Sequence, residues 1–122
     1  MAHADIMNDL ETRRENARAM GGEDKLQRRK ERGSLNAKER LECLVDQDSF
    51  IEVGLLGAAS GGNLDPAKTP RDGKITGFGR IDGRDVGVCV NDFTVKGAST
   101  GGTNSKKLGH IRRSTVERGI PF

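Results

Sequence analysis

The sequence predicts an α/β chain in which a run of helices precedes the opening β-β-α unit of a mixed domain. Three observations carry this. The hydrophobic period is helical up to about residue 45 and alternating after Ser49. Asp82-Gly83 separates two strand-like runs, Lys74–Ile81 and Arg84–Val90. A glycine-rich turn, Gly97-Ala98-Ser99-Thr100-Gly101-Gly102, then opens an amphipathic stretch that Gly119 closes. Residues 1–48 are therefore assigned to a helical segment and residues 49–122 to the start of the α/β unit.

Composition excludes several function classes. With 122 residues the chain is one modest domain at most. Leu, Ile, Val and Phe number 26, just above the ~20% share below which charged chains stay disordered. Charged residues make up 32%, and the 3% of aromatics are all Phe, so a large self-sufficient core and an aromatic stacking surface are both excluded. No apolar run approaches the ~20 residues that span a bilayer, which argues against a membrane protein. Asp5, Asp9 and Glu11 interrupt the start of the chain, so it does not read as a targeting signal. Cys43 and Cys89 match no zinc spacing and no disulfide framework. Each reads as a small buried hydrophobe in a reducing compartment, the cytoplasm or, in a eukaryote, the mitochondrial matrix.

The elements follow in order. Ile6, Leu10, Ala17 and Met20 lie on one narrow stripe at helical period, and Gly21-Gly22 supplies the stop. A second helical run, Glu23 to Arg32, has Leu26 as its one strong apolar residue and ends at Gly33. Asn36 caps a third helix with Glu39 at N3 in a capping box, and Leu41, Leu44 and Val45 are expected on its apolar face. Such thin stripes do not hold helices in isolation, so they must lie on something larger. Phe50-Ile51-Glu52-Val53 then reads as a short strand. Residues 54–73 are glycine-rich and carry Pro66 and Pro70; a connection this long is commonly functional or mobile.

In the hairpin, Val86, Val88 and Val90 line one face while Gly87 and Cys89 keep the other small, which predicts close packing there. The last helix places Leu108, Ile111, Thr115 and Val116 on its expected inner face. Ile120-Pro121-Phe122 begins a further apolar run. It reads as the second strand of a β-α-β crossover, so the chain is expected to be the front piece of a longer protein.

The chemistry concentrates at the glycine-rich turn. Gly and Ala let a ligand approach main-chain N–H groups. From Lys96 to Arg118 there are six Lys or Arg residues and a single acid, Glu117, which favours an anionic ligand near the turn. The spacing matches neither a P-loop nor G-x-G-x-x-G, and the bland alternative is a strand-to-helix loop with a solvated basic helix. His110 reads as exposed or structural. No Ser-His-Asp or Cys-His spacing supports nucleophilic catalysis. Asp82, Asp85 and Asp92 read as turn and surface carboxylates. Lys25, Arg28, Arg29, Lys30 and Arg32 alternate with acids, which favours a solvated, salt-bridged face over nucleic-acid binding.

Taken in order, four stretches resemble the N-terminal part of the carboxyltransferase (β) subunit of biotin-dependent acyl-CoA carboxylases of the propionyl-CoA and methylcrotonyl-CoA type. Leu10-Glu11-Thr12-Arg13-Arg14 followed by Gly21-Gly22 is similar to the family's opening helix. Asn36-Ala37-Lys38-Glu39-Arg40-Leu41 through Asp46, then Ser49-Phe50-Ile51-Glu52, resembles T-A-R-E-R-I…L-L-D…S-F-x-E. The run from Asp72 to Arg84 resembles D-G-V-V-T-G-x-G-x-I-x-G-R, and Asp92-Phe93-Thr94-Val95 matches D-F-T-V.

The resemblance implies a crotonase-like (ClpP/crotonase) β-β-α superhelix, of which this chain would be the opening portion. It implies transfer of a carboxyl group from carboxybiotin to the α-carbon of an acyl-CoA, with the developing oxyanions stabilised by backbone N–H groups. By position, Lys96-Gly97-Ala98-Ser99 corresponds to the family's acyl-CoA-facing F-G-G-S turn, with Lys and Ala as departures. Lys96 would then offer charge to a CoA phosphate. Thr100 to Asn104 depart further, where the family has a Leu-Gly-Glu-Met-type helix start. The implied partners are acyl-CoA, the biotin carboxyl carrier and biotin carboxylase components, the remainder of the carboxyltransferase and further copies in a homo-oligomer. Biotin would ride on a partner, and no metal is expected. The chain alone is expected to be inactive. The rivals are a non-catalytic assembly module of a carboxylase-like complex and a small basic nucleic-acid binder.

Overall fold

Asp82 and Gly83 take φ of 50° and 78°, the paired positive values that a type I′ turn requires. They join the two long strands of a computed structural model that describes residues 2–122. In chain order its elements are α1 (Ala2–Arg18), α2 (Glu23–Glu31), α3 (Ala37–Leu44), β1 (Ile51–Glu52), β2 (Lys74–Ile81), β3 (Arg84–Asn91) and α4 (Gly102–Arg118). Short 3-10 turns lie at Pro66–Lys68, Pro70–Gly73 and Lys96–Ala98. The sheet is antiparallel in the order β1-β2-β3. Its register sets Ile51 opposite Phe78, Ile75 opposite Val90 and Ile81 opposite Arg84.

The alternating pattern sorts the sheet into two faces. Val86, Val88 and Val90 are buried on one face with Ile75, against Met20, Ala37 and Leu41 from the helical segment. Leu26, Val45, Phe50 and Ile81 pack around that cluster. The helices of residues 1–48 thus share their apolar contacts with the sheet, as their thin stripes required. Close approach is permitted by glycine: a Cβ at Gly79 would stand 3.0 Å from Val45 Cγ1. On the opposite face α4 lies directly over Gly87, where any side chain would run into the Thr115 methyl group.

Local signals formed as expected at several points. Asn36 Oδ1 accepts the Glu39 N–H at 2.9 Å and Glu39 accepts the Asn36 N–H at 3.1 Å, a complete capping box. Just beyond α3, Asp46 accepts both N–H groups of the hairpin turn, from Asp82 at 2.9 Å and Gly83 at 2.8 Å. The Gly87 N–H donates to Pro121 O at 2.8 Å, so the segment after α4 comes to lie beside β3.

Other expectations are corrected. Only Ala17 and Met20 of the first stripe are buried; Ile6 is 64% exposed because α1 meets the rest of the protein only near its C-terminal end. Leu44 is exposed although Leu41 is buried, since the buried face of α3 follows Ala37 and Leu41 at a spacing of four. Val116 is 81% exposed: Ile111 and Thr115 define the inner face of α4, and one residue further turns about 100° away. Strand β1 is shorter than expected, Ile51–Glu52 alone. Cys43 is exposed, not buried, and Cys89 is half-buried.

Candidate functional site

The Lys96–Ser99 turn follows directly from the Asp92-Phe93-Thr94-Val95 segment, which the structure anchors at its base. The Asp92 N–H donates to Gly73 O at 2.8 Å, and Asp92 Oδ1 accepts from the Thr94 N–H at 3.0 Å and from its hydroxyl at 2.5 Å. Asp92 therefore serves the turn, as expected, but is buried and not the surface carboxylate that the sequence suggests, because its oxygen is taken up by Thr94. The Thr94 hydroxyl oxygen in turn accepts the Gly21 N–H at 2.9 Å, and Lys25 Nζ reaches Thr94 O at 3.2 Å. A side chain at Gly21 would collide with Thr94, which is why the α1–α2 connection is built of glycine there. The basic face of α2 was expected to be solvated and salt-bridged. Two of its cations instead dock on this segment: Lys25 on Thr94, and Arg29 with its guanidinium 5.8 Å from the centroid of the half-exposed Phe93 ring.

Lys96, Gly97 and Ala98 take consecutive left-handed φ values of 51°, 59° and 56°. For Lys and Ala each such residue costs about 1 kcal/mol or more, so the surroundings must over-determine the turn. The Ala98 N–H donates to Val95 O at 2.8 Å and the Ser99 N–H to Lys96 O at 3.2 Å. These bonds use the two donors internally. Lys96 and Gly97 remain as the N–H groups of the turn with no acceptor among the described residues. Lys96 is half-buried, whereas Gly97 is exposed and nothing lies within 4 Å of where its Cβ would stand. Gly97 is thus the open main-chain donor of the predicted set, and Ser99 is an exposed side chain beside it.

Beneath the turn lies a polar knot that sequence reasoning did not single out. Asp72 and Asn104 are both fully buried. Asn104 Nδ2 donates to Asp72 O at 3.1 Å and Ser99 O at 2.8 Å, its Oδ1 accepts the Gly101 N–H at 3.0 Å, and its own N–H donates to Asp72 Oδ2 at 2.8 Å. Gly101 has no side chain with which to cap α4, and the Asp72 carboxylate takes that place. Lys96 Nζ approaches Asp72 Oδ1 to 2.5 Å, an ion pair off the line of a hydrogen bond, so that oxygen gains a counter-charge and no directed donor. The Lys96 ammonium, expected to face a ligand phosphate, points inward onto Asp72. The sole local signal for this knot was Asn104 at N3 of a helix whose N-cap is glycine.

A second knot ties the same turn to β1 and α4. Arg71 donates to both oxygens of Glu52 at 2.8 Å, with both side chains largely buried. Lys107 Nζ donates to Arg71 O at 2.7 Å and Lys74 O at 2.6 Å. Burial, abetted by the Arg71 cation and opposed by Glu52, lowers the Lys107 pKa from 10.5 to about 8. The Lys107 stem fills the space over Gly54, where a Cβ would come within 2.9 Å of its Cε. His110 is exposed.

A cavity of about 730 Å³ lies elsewhere, between α3, the end of α1 and β1. Leu41, Val45, Phe50 and Ile75 form its apolar lining, and none of Lys96 to Ser99 reaches it. The open Gly97 donor is accordingly a surface feature of this chain.

The chain is 39% identical to the propionyl-CoA carboxylase beta chain of Roseobacter denitrificans over 96% of its own length. It is 36% identical to the methylmalonyl-CoA carboxyltransferase 12S subunit of Propionibacterium freudenreichii subsp. shermanii over 95%. The solved transcarboxylase 12S hexamer with methylmalonyl-coenzyme A bound superposes with a TM-score of 0.86 at 36% identity, covering 95% of this chain. The chain spans about 23% of the length of these relatives. The α/β architecture and its β-β-α opening unit are those of the carboxyltransferases it matches. A family model, carboxyl transferase domain, matches residues 28–122, from α2 through the hairpin, the Gly97 turn and α4. On these grounds the chain is a member of the carboxyl transferase domain family.

Proposed function

We propose that the chain forms the opening part of an acyl-CoA carboxyltransferase and that its Lys96–Ser99 turn faces the acyl-CoA thioester. The observation that carries this is the Gly97 N–H: exposed, without an acceptor among the described residues, and held in a left-handed turn by buried anchors on both sides. Carboxyl transfer to an α-carbon builds negative charge on the thioester oxygen. A preorganised N–H aimed at that oxygen is worth about 3 kcal/mol of transition-state stabilisation. Ala98 and Ser99 donate within the turn and serve to hold it; Lys96 serves the same end through Asp72.

In this reading biotin arrives on a carrier protein and supplies the carboxyl group, and the described residues contribute the thioester side of the site. Further carboxyltransferase polypeptide lies against β3, where Pro121 already pairs with Gly87 at the sheet edge, and covers the exposed Val116. Assembly into a larger oligomer with biotin carboxylase components, in the cytoplasm, belongs to the same proposal. Support for it comes from the relatives' names and the hexameric 12S structure. No helix of the described residues is long and apolar enough to cross a membrane.

Titration of the ¹⁵N-labelled chain with propionyl-CoA tests this reading. The Gly97 amide is expected to shift most, with weak saturable binding and no carboxyl transfer by the chain alone. A response confined to residues outside 93–104, or robust transfer by the isolated chain, overturns it. RNA affinity that falls steeply between two salt concentrations, without any response to the acyl-CoA, favours the nucleic-acid alternative.

A further inference from the structure

We infer that Asp72 is a positioning residue for the acyl-CoA turn, acting through Lys96 and Asn104. This inference rests on the proposed thioester-facing role of Gly97 and extends it to groups that touch no substrate. The Asp72 carboxylate meets both ends of the turn: Oδ1 pairs with Lys96, where the left-handed run begins, and Oδ2 accepts the Asn104 N–H, where α4 begins. Asn104 then returns to Ser99 O and Asp72 O, closing the loop. Residues 96–104 are thereby held on a single buried carboxylate.

Small residues make the arrangement possible. A Cβ at Gly101 would stand 3.3 Å from Asp72 Oδ2 and 3.4 Å from Lys96 Nζ, crowding both members of the pair. At Gly73 a Cβ would stand 3.0 Å from Val95 O and 3.3 Å from Ala98 Cα. Asp72 itself adopts a left-handed φ of 48°, so its backbone is committed to presenting the side chain here. A buried carboxylate without its cation is strongly disfavoured, and so is a half-buried ammonium without its anion. The two charges therefore act as a unit. Lys96 draws the first left-handed residue down onto Asp72. Gly97 is left as the exposed crest of the turn. The consequence is specific: Lys96 governs acyl-CoA affinity through Asp72 and not by touching the CoA phosphates.

The test is a double-mutant cycle of Asp72→Asn and Lys96→Met in the full 122-residue chain. It is read by amide hydrogen exchange at Ala98, Ser99 and Asn104 and by propionyl-CoA titration. Each single variant is expected to lower Asn104 protection and to weaken propionyl-CoA binding about tenfold, the scale of leaving a buried polar group without its partner. The double variant, which buries no unpaired charge, is expected to recover most of both losses, and Lys96→Arg to retain wild-type behaviour. If Lys96→Met weakens propionyl-CoA binding equally in the wild-type and Asp72→Asn backgrounds, and leaves Asn104 exchange unchanged, Lys96 touches the ligand and the inference is overturned. Should Asp72→Asn not fold, Asn104 exchange in Lys96→Met alone decides: unchanged protection overturns the inference. A wild-type chain that never responds to propionyl-CoA sinks the thioester-facing reading, while the exchange data still decide whether Asp72 holds the turn.

Discussion

Arg71 grips Glu52 through two parallel hydrogen bonds of 2.8 Å, tying the end of β1 to the left-handed turn that precedes β2. The same residue's carbonyl receives Lys107 from α4, so β1, the turn and the last helix converge on one guanidinium-bearing residue. Removing one partner of such a pair leaves the other charge enclosed and unmatched. Arg71→Met is expected to destabilise the chain by about 3 kcal/mol, the low end of the range for enclosed pairs because Glu52 keeps some solvent contact. Adding Glu52→Gln should return part of that loss. Urea unfolding followed by circular dichroism measures both, and an Arg71→Met chain as stable as wild type would refute the structural role.

Gly87 is expected to tolerate no side chain. Its Cβ would overlap the Thr115 methyl and come within 3.0 Å of Ile111 Cγ2, so α4 must shift off the sheet. Gly87→Ala should cost about 1–3 kcal/mol, the usual scale for overpacking. Thr115→Ser, which deletes the offending methyl, should restore part of it in the double variant. Thermal unfolding of the four chains is the measurement, and full additivity of the two changes would contradict the packing.

Lys107 imposes a pH dependence of defined sign. Its native pKa is lowered to about 8 while the unfolded value is near 10.5. Between these values the unfolded chain holds a proton that the native chain has released, so this group makes stability rise with pH over that window. Neutral Lys107 keeps hydrogens enough to reach both carbonyls. The stability difference between wild type and Lys107→Met should move in favour of wild type from pH 8 to 10.5, and a flat difference across that range would count against the assignment.

The two cysteines should separate kinetically. Cys43 is exposed, whereas burial raises the Cys89 thiol above its usual 9.0, partly offset by Lys74, Lys107 and Arg112. Alkylation by iodoacetamide at about pH 8 should modify Cys43 at least about tenfold faster than Cys89, since the thiolate is the nucleophile and access limits the second site. The Cys43→Ser chain should then show a single slow thiol that becomes fast in urea. Equal rates in the native chain would be the contrary result.

Features carried by neighbouring residues were legible in the sequence. The Asp82-Gly83 turn demands two positive φ values and its residue types supply them. The Asn36–Glu39 capping box is a three-residue spacing, and the valine alternation in β3 follows from the pleat. Misreadings arose where a stripe was drawn too wide. Leu44 and Val116 lie one position off the buried faces of their helices, and hydrophobicity alone does not show how far a partner surface wraps around a helix.

By itself the sequence determined the hairpin and the helix after it, the helical lead-in, the family and the place of the glycine-rich turn between β3 and α4. The tertiary structure alone decided where the charges go. Asp72 meets Asn104 across 32 residues of chain, and Glu52 meets Arg71 across 19. Such pairs leave no periodic trace, because each is chosen by which polar groups the folded chain buries together and must therefore satisfy. A lysine that the sequence offered to a ligand is, for that reason, turned inward to neutralise a carboxylate.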